Sequence, residues 1–524
     1  MNMNRLLKFR NKKTHGSILL IIFLNVSVLY GQIIPFNFTD ASSKLPRYTT
    51  YSTWLQKAVA DMNADGRDDI IRGNELDGFS ILKQNADGSF TEQFIGKVKE
   101  LYRPLSVIVA DLDNDDYPEI LTGGQYRGVY IFKTNNGGAD YTLIELPDGR
   151  NVFTQASAIA DINNDGLLDI FVCHDEGMNA IWRNTGNANF IPDLMGFDFS
   201  SIPTNRRRGN YGIVFTDVNN DGYQDAYLSK CYSPLFEPTT DSTFYERINQ
   251  LFINNSYQSY TDKAKSLNMA DGRQTWITEF QDIDNDGDMD AFIANHGPSP
   301  SSRLMLNDGN GNFTEITGKA GLSNAPFGIL QALMRDFDND GYVDLLLGGH
   351  DKPKIYRNNG NLTFSEVVYL PIYSNYEPAT ERTHYLHSFA IGDLNHDGFL
   401  DIYGSYRFNQ DSPDKLWLNQ GNNNHFLSIT LVGSKSNRSA VGAKITIKVG
   451  GQTMIREVRA GESYGLSNTL TQVFGLGNNT KIDELSIRWP SGLVEKKTVG
   501  QLNSFLTFYE PNCEVTSPEL ELDK

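Results

Sequence analysis

Cysteine is almost missing from this sequence: Cys173, Cys231 and Cys513 are the three in 524 residues. Three thiols cannot build a disulfide framework, and the odd count leaves at least one unpaired within the chain. Histidine is scarce, with eight. The HExxH and phosphate-cradling glycine motifs do not occur. Positive charge is short as well, 46 Lys and Arg against 64 Asp and Glu, which argues against nucleic acid as a partner because phosphate binding needs the opposite balance. The one long apolar run, Ser17 to Tyr30, follows Arg5, Lys8, Arg10, Lys12 and Lys13. At 14 residues it is too short to span a bilayer comfortably, and with its basic leader it reads as a signal peptide over 1–31. The mature chain is then expected to have no transmembrane segment and to be secreted, to the extracellular space, the cell surface or the periplasm.

Removing residues 1–31 leaves a net charge near −23. Such acidity often marks a disordered chain, but 39% apolar and 11% aromatic residues can bury a large core. The acid is concentrated in a repeat. Seven nine-residue segments begin at Asp61 (DMNADGRDD), Asp111 (DLDNDDYPE), Asp161 (DINNDGLLD), Asp217 (DVNNDGYQD), Asp282 (DIDNDGDMD), Asp336 (DFDNDGYVD) and Asp393 (DLNHDGFLD). Successive starts lie 50, 50, 56, 65, 54 and 57 residues apart, the size of a four-stranded propeller blade. Each segment sits between two short alternating apolar stretches, so it reads as the hairpin between strands A and B, with strand C, an Asn/Gly turn and strand D following. The fold class is therefore all-β: a seven-bladed β-propeller over 32–424, with a small β-sandwich-like domain over 425–510 and an acidic tail over 511–524. Because Phe36–Leu45 resembles a strand D text and the seventh unit lacks one, the N-terminal segment is expected to complete the last blade.

Carboxylates at positions 1, 3 and 5 of a tight turn converge on one point, and Ca²⁺ wants six to eight such oxygens. In the first loop these are Asp61, Asn63 and Asp65, with the Arg67 carbonyl at position 7 and Asp69 at position 9. The second offers Asp111, Asp113, Asp115 and Glu119, and the third Asp161, Asn163, Asp165 and Asp169. The fourth offers Asp217, Asn219, Asp221 and Asp225, and the fifth Asp282, Asp284, Asp286 and Asp290. The sixth has Asp336, Asp338, Asp340 and Asp344, and the seventh Asp393, Asn395, Asp397 and Asp401. Oxygen-only donors argue against zinc or copper, and 24 carboxylates at these positions need counter-charge. Up to seven Ca²⁺ sites are expected. The second loop is the weakest, with Asp116 where Gly is usual and Glu at position 9.

These loops and their flanks resemble FG-GAP or VCBS repeats, which implies the propeller and calcium at the A–B hairpins but no single activity. After Asn424 the text changes, and Asn437, Arg438, Gly442, Ala443, Gly461, Tyr464, Phe474–Gly477, Trp489, Pro490 and Gly492 resemble the ASPIC/UnbV domain of the cartilage acidic protein family and its bacterial relatives. The glycines there read as turn and bulge residues, and Trp489 as core.

No catalytic constellation is recognised. Counting from each first Asp, His296, His350 and Arg407 share one offset, and the D to A connection before the fourth loop carries Arg206, Arg207 and Arg208. Chain direction puts all six on the face opposite the acidic hairpins, a candidate ligand face. The expectation is an extracellular binding or adhesion module for a glycan or protein partner. The alternative is a calcium-dependent polysaccharide lyase.

Overall fold

Strand A of each repeat is buried at nearly every described position, and burial falls away outward. In the third repeat Thr154–Ala160 is buried at every position, Asp169–His174 at all but the last, Ala180–Asn184 alternates, and Phe190–Pro192 buries only its first residue. That gradient is the signature of a radial sheet whose first strand lines an axis and whose fourth is a short, polar outer edge. The computed structural model describes residues 36–46, 57–74, 78–98, 104–232, 245–296, 302–326, 328–349, 353–369, 386–406 and 414–511. The signal-peptide segment 1–31, Cys513, His350 and Arg407 lie outside them.

Among the described residues seven four-stranded antiparallel sheets follow one another in chain order, blades 1 to 7. Their first strands are Lys57–Ala60, Ser106–Ala110, Thr154–Ala160, Asn210–Thr216, Thr275–Gln281, Ile329–Arg335 and Leu386–Gly392. Blade 7 is closed by the other end of the chain. Phe38–Asp40 pairs antiparallel with Lys415–Asn419, with Phe38 opposite Asn419 and Asp40 opposite Trp417. Lys415 Nζ lies 2.7 Å from Asp40 Oδ2, and the Phe36 and Phe38 rings meet Phe337 of blade 6 edge-on. The expected N-terminal clasp is present, with its strand three residues long and a 3-10 turn over Ser42–Lys44 behind it.

Neighbouring blades are stitched by an asparagine at the end of strand C. Asn184, Asn307, Asn358 and Asn419 each donate from Nδ2 to the second carbonyl of the acidic loop one blade back, at Leu112, Val218, Ile283 and Phe337, over 2.7 to 2.8 Å.

From His425 the chain builds two further sheets. Gln472–Gly477, His425–Val432 and Ser504–Tyr509 form one, with a parallel pair; Gln452–Glu457, Lys444–Val449, Glu484–Arg488 and Val494–Lys497 form the other. Trp489 is buried in the core of this domain, its Nε1 donating to Glu495 Oε1 over 3.0 Å. No helix among the described residues is long and apolar enough to cross a membrane, which leaves β-barrels unaddressed.

Candidate metal centre

The seven acidic hairpins share one backbone. Position 4 is left-handed in all of them, at Ala64, Asn114, Asn164, Asn220, Asn285, Asn339 and His396, with φ between 54° and 62°. Position 6 is left-handed too, a glycine in six loops and Asp116, at φ 80°, in the second. The second loop thus adopts the common shape without the residue that adopts it most easily, so the missing glycine does not set it apart. In each loop the first Asp accepts the amide of position 6, from Gly66 to Asp61 at 2.7 Å through Gly398 to Asp393 at 2.7 Å. The position 9 carboxylate accepts the amide of position 2 with one oxygen and a strand C amide with the other, as Asp69 does from Met62 and Gln84. Glu119 does the same from Leu112 and Thr134, its extra methylene notwithstanding.

These bonds orient the carboxylates but leave them short of positive charge. Burial pushes Asp69, Asp169 and Glu119 up to about 8, and Asp161, Asp282 and Asp393 to about 7. Carboxylate oxygens converge within 4.8 Å of one another in Asp111, Asp113 and Asp115, in Asp282, Asp284 and Asp290, and in Asp336, Asp338 and Asp344. The position 3 oxygens Asp113 Oδ1, Asp284 Oδ1 and Asn395 Oδ1 are buried with no hydrogen-bond partner. Convergent hard oxygens, buried and unsatisfied, fit a metal ion of the Ca²⁺ type.

Sequence reasoning missed what lies over the loops. The C-terminal domain docks on the hairpin face and reaches the loops with specific bonds. Glu457 accepts from the Thr216 hydroxyl at 2.6 Å and the Asp217 amide at 3.3 Å, Asp111 N–H donates to Ser439 Oγ at 2.9 Å, and the Thr469 hydroxyl donates to Asp68 Oδ1 at 2.6 Å. Arg438 pairs with Asp116 and Lys444 reaches Asn220. Clefts of about 460 and 190 Å³ remain between this domain and loops 7, 1 and 2, walled by Thr430, Thr471 and Thr507.

The segment Arg459–Thr469 enters the axial channel. Its backbone meets the inner strands of blades 1, 2 and 3, where Val59, Val107 and Ile159 donate to the carbonyls of Ser467, Gly465 and Ala460 at 3.1, 2.8 and 2.8 Å. Glu462, 3% exposed, pairs with Arg335 of blade 6 and, at 2.9 Å, with Arg459. Ser463 N–H donates to Glu279 of blade 5 at 2.6 Å. Beyond them the Tyr464 hydroxyl reaches Gln155, with its ring 4.7 Å from Trp276 and 6.2 Å from Tyr211. Glycines read as turn formers are here for close approach. A Cβ on Gly461 (φ 102°) would lie 2.8 Å from the Ala158 backbone, and one on Gly475 would lie 2.1 Å from Asp336 Oδ2.

On the opposite face the arginine triplet is tied down. Arg206 and Arg208 reach the buried Glu246 carboxylate at 2.5 and 3.4 Å, the Arg208 guanidinium lies 4.2 Å from the Tyr232 ring centre, and Arg207 donates to the Ile202 carbonyl. His296 stacks on Trp276 at 5.3 Å, so it stands close to the tip of the inserted segment.

The FG-GAP-like repeat model matches residues 61–122, 161–228, 282–347 and 336–404, and the ASPIC and UnbV model matches 433–515. The chain is similar to cartilage acidic protein 1 of Homo sapiens, 25% identical over 79% of this chain and 64% of that protein, and of Mus musculus, 24% identical over 90% and 76%. The Xenopus tropicalis protein is 31% identical over 27% of this chain and 24% of its own length, so the chain spans less than two thirds of the frog and human relatives. Among solved structures, an Agrocybe aegerita lectin that recognises non-reducing terminal N-acetylglucosamine aligns at TM-score 0.43 and 19% identity, covering 69% of this chain and 93% of that one. A rhamnogalacturonan lyase aligns at TM-score 0.39 and 13% identity over 70% and 72%.

Proposed function

For a chain that belongs to the FG-GAP repeat proteins ending in an ASPIC and UnbV domain, we propose a secreted, calcium-loaded binding module that presents the propeller face opposite its metal loops to an extracellular glycan or protein. The observation that carries this reading is the division of the two faces. The hairpin face is committed to metal-type oxygens and to the C-terminal domain seated on them, with Glu457, Ser439 and Thr469 bonded to loop atoms. The other face collects the B to C and D to A connections, the longest and most varied in the sequence, and variable loops on a rigid scaffold are where binding proteins place their contacts.

The metal residues of the reading are the oxygens at positions 1, 3, 5 and 9 of the seven loops, with the position 7 carbonyl. The ligand face comprises Arg206, Arg207, Arg208 and His296, with His350 and Arg407 beyond the described residues. Because Arg206 and Arg208 already share Glu246, their part is to shape the D to A connection while keeping a third or more of each side chain in solvent. Displaying the full chain on an array of neutral and uronate-containing oligosaccharides, with Ca²⁺ and with chelator, tests the proposal. Calcium-dependent retention that His296→Ala weakens supports it. Release of an unsaturated, ultraviolet-absorbing sugar from the same substrates would replace it with a lyase.

A further inference from the structure

Charge is balanced loop by loop with one exception. Loops 3, 4 and 7 each carry three acids, at positions 1, 5 and 9. Loop 1 has a fourth, Asp68, and an arginine, Arg67, paired with Asp65 at 3.0 Å. Loop 2 has five acids, of which Asp113 is paired with Lys133 and Asp116 with Arg438. Loop 6 has four, and Arg357 bridges Asp338 and Asp340. Loops 1, 2, 3, 6 and 7 thus settle near three negative, and loop 4, whose Asp217 lies 3.8 Å from the Arg488 guanidinium, near two. Loop 5 has five acids, Asp282, Asp284, Asp286, Asp288 and Asp290. Among the described residues no lysine or arginine nitrogen forms an ion pair with any of them: Lys444 feels Asp288 and Arg456 feels Asp282 only at longer range.

The unbalanced acid is Asp288, at position 7. In loops 2, 6 and 7 that position holds Tyr117, Tyr342 or Phe399, whose ring lies against a glycine just after the same blade's strand C, and in loop 4 Tyr223 packs on Tyr257. Asp288 occupies the same place in blade 5: a Cβ on Gly309 would come within 3.1 Å of its Oδ2. A carboxylate there ought to turn to water, yet Asp288 is 6% exposed and its Oδ1 is buried without a partner. Asp286 stands within hydrogen-bonding reach of both Asp284 and Asp288, carboxylate against carboxylate. Asp286 is also absent from the convergent set Asp282, Asp284 and Asp290 of the same loop. Asp286 is exposed and Asp288 is buried, so the pair sets a solvent-facing carboxylate against an enclosed one with no counter-ion between them, and like charges at that distance repel.

We propose that blade 5 binds a second hard divalent cation, held by Asp288 and Asp286 beside the ion expected at Asp282, Asp284 and Asp290, with Asp284 between the two. Its donors are carboxylate oxygens, and its charge supplies the compensation that Lys133, Arg357 and Arg438 give elsewhere. This inference rests on the reading that the loops bind Ca²⁺, and the experiment separates the two. The full chain, stripped of metal, is dialysed to equilibrium against graded free Ca²⁺ and bound calcium is counted per molecule by atomic emission. Asp288→Asn should bind one ion fewer than the parent at saturation, and so should Asp288→Tyr, which installs the aromatic found in loops 2, 4 and 6 and so keeps the turn packed. Asp282→Asn combined with Asp288→Asn should bind two fewer. Equal stoichiometry in the parent and both Asp288 variants, whatever the affinities, overturns the second site. A double variant that loses only one ion overturns it as well. A parent that binds no calcium overturns the calcium reading itself.

Discussion

Replacing Glu462 by Ala should release the channel segment while leaving the blades folded. In the structure this carboxylate is 3% exposed; burial pushes its ionisation up, and the Arg335 and Arg459 guanidiniums more than reverse that, holding it below the usual range. Truncation leaves two buried cations facing each other across the gap with Glu279 as their nearest acid. Breaking one partner out of a buried ionic group costs about 3–5 kcal/mol. The cost falls on docking rather than on a blade, because Glu462 belongs to the C-terminal domain and Arg335 to blade 6. The direct reporters are the amides of Val59, Val107 and Ile159, which donate to the inserted segment. If insertion is weakened by that amount, their hydrogen exchange should accelerate by roughly two to four orders of magnitude. Strand B amides such as Val172 should be far less affected. Unchanged exchange at the three inner amides in Glu462→Ala would refute the argument, as would uniform acceleration across all blades.

Calcium at ten times its dissociation constant should stabilise the fold by about 1.4 kcal/mol per site, so chelation should lower the melting temperature sharply and Asp397→Ala should cost one such share; identical melting curves with and without chelator would remove the metal assignment. Deleting 36–45 uncovers the edge of Lys415–Asn419, and size-exclusion chromatography should show association; a monomer of unchanged melting temperature would mean that the clasp contributes nothing. Lys230 is fully buried with its Nζ 2.7 Å from Asn210 Oδ1, and burial lowers it to about 7 against the pull of Glu246. The unfolded chain then holds a proton between pH 7 and about 10 that the folded one has given up. Stability should therefore rise with pH across that window, by up to ~5 kcal/mol, and Lys230→Met should flatten the rise in urea titrations; an unaltered slope would exclude Lys230 as its source.

The ring and its closure were legible because both are periodic. A nine-residue signature at blade spacing reports strands, hairpins and order at once, and the N-terminal segment betrays itself by matching the strand that the last repeat lacks. The docking of the C-terminal domain was not legible, since alternation identifies which face of a strand is buried and not against which body. Gly461, at a bend with a left-handed φ of 102°, is the turn glycine that the sequence suggests, and both it and Gly475 also let one backbone pass close to another. The partner of the arginine triplet could not be picked out because Glu246 lies 38 to 40 residues away in sequence. Asp288 was overlooked for a different reason: position 7 of such a loop is read through its carbonyl, so its side chain attracts no notice. The second loop looked the weakest, yet Asp116 takes the glycine conformation and Arg438 balances its charge.

The strand that closes blade 7 also sets a clock. Asp40 and Lys415 are 375 residues apart, and at ribosomal rates of about 5–20 residues per second the first waits roughly 20 to 75 seconds for the second to be made. Throughout that interval the blades already synthesised form an open arc with an unpaired leading edge. The segment that fills the axis comes later still, so the ring can close before its plug has been made. A chain of this design depends on being kept apart from its copies until its last hundred residues arrive, and substitutions that slow the final steps should appear first as lost yield, with the melting temperature of the surviving protein unchanged.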